Sequence, residues 1–253
     1  MFGICNLAII PLRIEPNDRS EIVSQVLFGE HFEIIEQQKQ WAKIRLDYDT
    51  YEGWVDVKQF QPIAGSDFKI LSEERPVLNS DLVEYVTAPG NVLMPVPLGA
   101  SLNFLFHQNI NVTHFDFEGL KVSGTKAKVE IVPTSFMYLN APYLWGGKTP
   151  FGIDCSGFTQ MVYKLNGYKL LRDASQQALQ GEALSFIEES EPGDLAFFDN
   201  EEGRITHVGI IMENNYIIHA SGKVRIDRLD HLGIYNADVN RHTHKLRVIK
   251  KYI

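Results

Sequence analysis

"YLWGGKTPFGIDCSGF", residues 143–158, sets a lone cysteine, Cys155, between a glycine-rich turn and an apolar run. The run continues as "FTQMVYKLNGY", in which Phe158, Met161, Val162 and Leu165 fall at i, i+3, i+4 and i+7. That spacing predicts a helix with one apolar face, ending near Gly167. Cys155 would then stand at the helix N-terminus, where free N–H groups and the positive end of the macrodipole favour a thiolate and can hold an oxyanion. The expectation is therefore a lowered thiol pKa, with Gly146, Gly147, Gly152 and Gly157 admitting a substrate backbone. The competing reading is that Cys155 simply packs, since free cysteine is among the most buried residue types. A nucleophile needs a base within hydrogen-bond reach, so the decision passes to the histidines.

Two of them lie on adjacent strand patterns, His207 in "RITHVGIIM" and His219 in "YIIHASG", with "ENN" between. A three-residue turn centred on Asn214 sets His219 opposite Gly209 and leaves His207 diagonal to it on the same face. A two-residue turn shifts the register by one and sends the histidines to opposite faces. Catalysis requires the first register, with His207 as base to Cys155 and His219 orienting it.

Upstream, "LAIIPLR", "EIVSQVLFGEHFEII", "WAKIRL" and "EGWVDV" read as short strands. In "WAKIRL" the apolar Trp41, Ile44 and Leu46 interleave with Lys43 and Arg45, as in a half-buried strand. Several strands in so few residues predict a small barrel over residues 1–62, with Trp41 and Trp54 in its core or rim. Residues 63–132, with dense turn residues and brief apolar segments such as "LNFLF" and "GLKVSG", read as a second small β module. From residue 133 a helix is followed by the strands "DLAFF", "HVGIIM" and "YIIHAS", an α+β arrangement extending to residue 253.

Composition bounds the function. The 253 residues are 44% hydrophobic and 22% charged, those of a globular protein with real cores, and the length favours two or three modules. A formal charge of -8 without a Lys/Arg cluster argues against nucleic acid. No apolar run has the length of a membrane helix, and the N-terminal stretch lacks a basic n-region, so no membrane and no secretory signal is expected. With only Cys5 and Cys155 the chain suits a reducing, cytoplasmic compartment. Cys5 reads as core. "RHTH", residues 241–244, spaces two histidines for one strand face but offers no further ligands, so no metal is expected there.

The runs "DCSGF", "GDLAFF", "THVGI" and "IIHAS", in that order and spacing over roughly residues 138–225, resemble the NlpC-type family of bacterial cell-wall cysteine peptidases. The pieces "FGEHFEII", "QQKQWAKIRL" and "YEGWV" resemble a bacterial SH3-like domain. Together they resemble the family's cytoplasmic branch that recycles murein peptides. The resemblance implies an α+β, papain-like cysteine peptidase domain (133–253), its nucleophile helix packed on an antiparallel sheet, behind two small SH3-like β-barrels (1–62 and 63–132). It implies Cys155 as nucleophile, His207 as base and His219 as the orienting residue, with no cofactor and no metal. It implies short murein peptides as partners, cleaved between γ-D-glutamate and an L-diamino acid and starting with a free L-alanine.

Tyr143 matches a site-lining tyrosine, Ser156 adjoins the nucleophile, and Asp173 matches an acidic residue that receives the free amine. Ala174 stands where some relatives have serine, so that contact is lost or passes to Ser175. Tyr51 in "YEGWV" is the candidate for a tyrosine that closes the amine end of the cleft, with Glu30 as its partner and Glu21 as competitor. A carboxylate there would select a free amine over an acylated one, because a buried ammonium demands acceptors. Diaminopimelate and lysine at the third position are not distinguished. Two alternatives stay open: an inactive scaffold that binds cell-wall peptide, and an amidase or acyltransferase acting on another amide.

Overall fold

The computed structural model describes residues 1–253, which form two compact units, Met1–Gly124 and Thr125–Ile253. In the first, a seven-stranded antiparallel sheet runs in the order Ile22–Leu27, Ile9–Arg13, Glu52–Asp56, Trp41–Leu46, His31–Gln38, Phe2–Ile4, Gln61–Ile63. The alternation in "WAKIRL" is realised: Trp41, Ile44 and Leu46 are buried while Arg45 is exposed and pairs with Glu52 at 2.7 Å. One core gathers Cys5, Ile10, Leu12, Val26, Phe32, Ile44 and Val55.

A second core in this unit draws Ile4, Phe28 and Ile63 together with Leu71, Val86, Val96, Phe104 and Phe115. It therefore takes residues from both sides of residue 63. Beyond that point the chain makes a helix, Gly65–Glu73, and short strands in three- and two-stranded sheets. "LNFLF" forms a 3-10 turn, Asn103–Phe106, where the sequence reading had only a brief apolar segment.

Sequence placed a boundary between residues 132 and 133, whereas the compact units divide after Gly124. The intervening residues are tied to the second unit: the Lys126 N–H donates to the Asn166 carbonyl at 3.0 Å, and the Lys128 ammonium lies 2.7 Å from Asp194. Turn-rich composition cannot reveal such long-range anchors.

The second unit is built on six antiparallel strands, β1 (Leu195–Asp199), β2 (Ile205–Met212), β3 (Tyr216–Ser221), β4 (Lys223–Asp230), β5 (Gly233–Asn236) and β6 (Arg241–Lys251). Each pairs with the next and β6 returns to β1, so the ladder closes on itself. Ala196, Phe198, Ile211, Ile217, Leu229, Ile234 and Ile249 share one cluster inside. Alternation turns Val208, Ile210 and Ile218 to the other face, where the helix Cys155–Leu165 packs against β2 and β3. The helix is buried along its length and ends before Gly167, whose φ of 82° stops it.

The β2–β3 turn, Glu213–Asn215, settles the register. Asn214 and Asn215 take φ values of 58° and 60°, which asparagine tolerates better than most residues. The last pair is then Met212–Tyr216, and Gly209 faces His219. No helix is long and apolar enough to cross a membrane.

Candidate active site

Asp154 starts the Cys155 helix. Its Oδ1 accepts the Gly157 N–H at 2.7 Å, and its Oδ2 accepts the Gly146 N–H at 2.8 Å. One carboxylate thus caps the helix and clamps the preceding loop to it. The side chain is buried and ion-paired with Arg172, whose Nη2 donates to Oδ2 at 2.6 Å and Nη1 to Oδ1 at 3.0 Å. Arg172 Nη1 also donates to the Ser156 hydroxyl at 3.0 Å, which places that hydroxyl in the ion-pair network.

The loop glycines serve this packing. A Cβ on Gly157 would lie 2.4 Å from the Gly147 carbonyl oxygen, and one on Gly147 would lie 2.3 Å from that of Gly152. The expectation that these glycines open room for a substrate backbone is corrected for Gly147 and Gly157: the chain's own backbone fills that room.

Cys155 is 5% exposed. The Val208 N–H is directed at its sulfur, so the peptide joining His207 to Val208 abuts the thiol. Burial pushes the thiol pKa up to about 12, with Asp154 adding to the rise; the N–H groups of Val208 and Ser156 and the charge of Arg172 act the other way. The expected lowering is thus reversed, because desolvation of a sulfur anion outweighs a helix terminus already neutralised by the Asp154 cap. Burial, then His219 and His244, hold the His207 pKa well below its ordinary value. The resting arrangement is a protonated thiol and, on the residue whose peptide abuts it, a neutral imidazole.

The register brings the two histidines together as the three-residue turn requires: His207 Nε2 lies 2.8 Å from His219 Nδ1. Gly209 makes this possible. A Cβ there would come within 2.8 Å of the His219 Cβ and of the Ile217 side chain. Gly209→Ala should therefore displace His219, destabilise the chain by about 1–3 kcal/mol and lower turnover; an unchanged urea midpoint and unchanged rate would contradict this crowding.

Tyr143 is half-buried, its backbone N–H donating to the Gly222 carbonyl at 3.0 Å. Its phenol pKa is raised by burial and then by Cys155 and Asp154, which places the ring near the thiol. Asp173 precedes the short helix Ala174–Gln177, its N–H held by the Gln176 side chain at 3.0 Å; Ala174 is buried and Ser175 exposed. Gln177 ties this helix to the Cys155 helix through the Thr159 hydroxyl at 2.7 Å and the Ser156 carbonyl at 2.9 Å. In the first unit, the buried Glu30 accepts the Leu27 N–H at 2.9 Å, Tyr51 packs half-buried against the Cys5 core, and Glu21 is exposed.

Sequence reading passed over four residues of this site. Asp154 was legible as an acidic cap just before a helix. Arg172 carried no local signal. His244, set aside within "RHTH", stacks on His207 with ring centroids 4.2 Å apart and 27° between planes, while His242 turns to Asp230 at 2.9 Å. Asp227 reaches His219 from β4, its Oδ2 lying 2.9 Å from Nε2.

A thiol at a helix start, against the peptide of a histidine that is hydrogen-bonded to a second histidine, suits a cysteine hydrolase. Residues 140–243 match the family model described as NlpC/P60 family, and residues 12–60 match the bacterial dipeptidyl-peptidase Sh3 domain. The chain is 33% identical over 215 residues to the gamma-D-glutamyl-L-lysine dipeptidyl-peptidase of Bacillus subtilis (strain 168), covering 79% of this chain and 72% of that one. It is 26% identical over 251 residues to dipeptidyl-peptidase 6 of Lysinibacillus sphaericus, covering 87% and 88%. A solved NlpC/P60 family protein from Bacillus cereus ATCC 10987 superposes with a TM-score of 0.82 at 20% identity, over 100% of this chain and 99% of that one, a likeness of fold alone. This chain belongs to the NlpC/P60 family of cysteine peptidases, with a papain-like peptidase fold and an N-terminal SH3-like domain.

Proposed function

We propose that this peptidase hydrolyses the bond between γ-D-glutamate and an L-diamino acid in short murein peptides that begin with a free L-alanine, as part of cytoplasmic peptide recycling. The observation that carries the reading is the Cys155 thiol against the His207–Val208 peptide, with His207 hydrogen-bonded to His219. The relatives named for γ-D-glutamyl-L-lysine and dipeptidyl-peptidase activity support the substrate class.

His207 takes the Cys155 proton as sulfur attacks the γ-D-glutamyl carbonyl. A neutral base paired with a high-pKa thiol makes that transfer concerted with attack rather than prior to it. N–H groups at the helix start hold the oxyanion. The leaving amine takes the proton from His207, and water hydrolyses the thioester. Tyr143 lines the site. Asp173 receives the substrate ammonium, Ser175 is the available hydroxyl beside the buried Ala174, and Ser156 contributes through its backbone N–H. Tyr51 and Glu30 remain the proposed residues at the amine end, and residues 63–132 the proposed second SH3-like module.

The test is cleavage of L-Ala-γ-D-Glu-diaminopimelate, its lysine counterpart and their N-acetylated forms, followed by chromatography. The free-amine peptides should be cleaved at least about tenfold faster, the worth of one charge-assisted hydrogen bond. Equal rates would remove the role given to Asp173 and Tyr51, and no cleavage of either peptide would remove the proposed substrate.

A further inference from the structure

We propose that Asp227, locked by Arg225, is a positioning residue that dictates which nitrogen of His207 carries the proton, through His219. The proposal rests on the reading of Cys155 as nucleophile and His207 as base. It begins from a buried carboxylate held by a half-buried guanidinium. Arg225 Nε donates to Asp227 Oδ2 at 2.6 Å and Nη2 donates to Oδ1 at 2.9 Å, while Nη2 also reaches Asp238 at 2.8 Å. A guanidinium is always charged, and this fork keeps Asp227 ionised. Burial would raise the Asp227 pKa, but the hydrogen bonds from His219 and Arg225 prevail and hold it low.

The proton positions then follow one from the next. An ionised carboxylate only accepts, so His219 Nε2, 2.9 Å from Asp227 Oδ2, must bear a hydrogen. His219 is buried with a lowered pKa and is neutral, which leaves its Nδ1 bare. That bare nitrogen lies 2.8 Å from His207 Nε2, so His207 must donate from Nε2. Since His207 is neutral as well, its Nδ1 is the unprotonated nitrogen and is left to receive the Cys155 proton. When sulfur bonds to the substrate carbonyl carbon, the thiol proton moves to Nδ1; when the C–N bond breaks, it passes to the leaving amine. The Nε2 proton never leaves, and the transient imidazolium faces the Asp227 charge through His219.

The other groups around the pair do not compete. His244 of β6 stacks on His207, but burial lowers its pKa to about 4, so it adds no charge near neutral pH; its Nδ1 is engaged by the Thr243 hydroxyl at 2.9 Å. Phe198 of β1 closes the remaining side with its ring centroid 5.8 Å from that of His207. Asp227 Oδ2 is the one acceptor shared by Arg225 Nε and His219 Nε2, so Asp227→Ala removes it and leaves His219 Nε2 beside a guanidinium that only donates. A bare Nε2 is then favoured, which reverses the His219 tautomer and forces the His207 proton onto Nδ1, where it blocks the base.

The experiment is imidazole nitrogen NMR on the full chain labelled at histidine, together with steady-state kinetics of the parent and Asp227→Ala. The parent should show Nε2–H on both His207 and His219 without substrate. Asp227→Ala should reverse both and lower kcat by about 10²–10⁴-fold with KM little changed, the range seen when a triad carboxylate is lost. Nδ1–H on His207 in the parent overturns the proposal, and so does Asp227→Ala retaining kcat within twofold. A fall in kcat with parental tautomers also overturns it, since Asp227 would then be structural only. The parent spectrum decides the proton positions even if Asp227→Ala fails to fold or the peptide proves not to be the substrate, so the failure of this proposal is distinguishable from failure of the functional one.

Discussion

Cys155→Ala is expected to fold as the parent does and to lose at least about 10⁴-fold in hydrolysis of the murein tripeptide, the scale of removing a covalent nucleophile. The fold should survive because the sulfur is small and the helix start is held by Asp154 through Gly157 at 2.7 Å and Gly146 at 2.8 Å, not by the thiol. Activity should not survive, because no other thiol or hydroxyl takes its place: Cys5 lies in the core of the first unit, and the Ser156 hydroxyl is bound by Arg172. Cys155→Ser adds a second reading. Serine keeps the shape but loses the polarisable, more acidic sulfur, and in the proposed mechanism proton transfer from a thiol that burial pushes up to about 12 is already demanding. It should therefore stay as inactive as alanine. Cleavage by Cys155→Ala within tenfold of the parental rate would end the assignment of Cys155 as nucleophile.

Arg172→Met is expected to cost about 3–5 kcal/mol of stability, the penalty for leaving one member of a buried ion pair uncompensated. Arg172 is 1% exposed, and its fork to Asp154 is bidentate. Removing it strands a carboxylate that must still receive two backbone N–H groups. Asp154 also raises the Cys155 pKa while Arg172 opposes it, so the loss should make the thiol harder to ionise. The reading is a urea unfolding curve for Arg172→Met, Asp154→Asn and the double variant. The double variant should recover part of the stability lost in Arg172→Met, because a neutral amide strands no charge. A shift below about 1 kcal/mol in Arg172→Met would mean that the pair is no more than a surface-grade contact.

Much of the site was readable because its signals are local. The helix from Cys155 follows from a three-to-four spacing of apolar residues, and its end from a glycine free to take positive φ. The His207–His219 pairing was narrowed to two registers, and the turn of asparagines at positive φ, one residue longer than the shortest hairpin, selects between them in the structure. Asp154 was equally local, one residue before the helix, and was passed over although the capping rule points to it. The fate of the loop glycines was not local: Gly147, Gly152 and Gly157 touch because a cap draws the loop onto the helix.

The sequence by itself determined the Cys155 helix, the strand pattern and the family resemblance, and narrowed the His207–His219 pairing to two registers. Each depends on residues a few positions apart, where backbone geometry alone dictates neighbours. Only the tertiary structure decided that Arg172 neutralises Asp154, that His244 stacks on His207 from a strand 37 residues later in the chain, and that Asp227 ends the imidazole chain. It also reversed the sign of the Cys155 pKa shift. A pKa depends on how much water is excluded and which charges face the group from every side, and those quantities exist only once distant strands have closed around it.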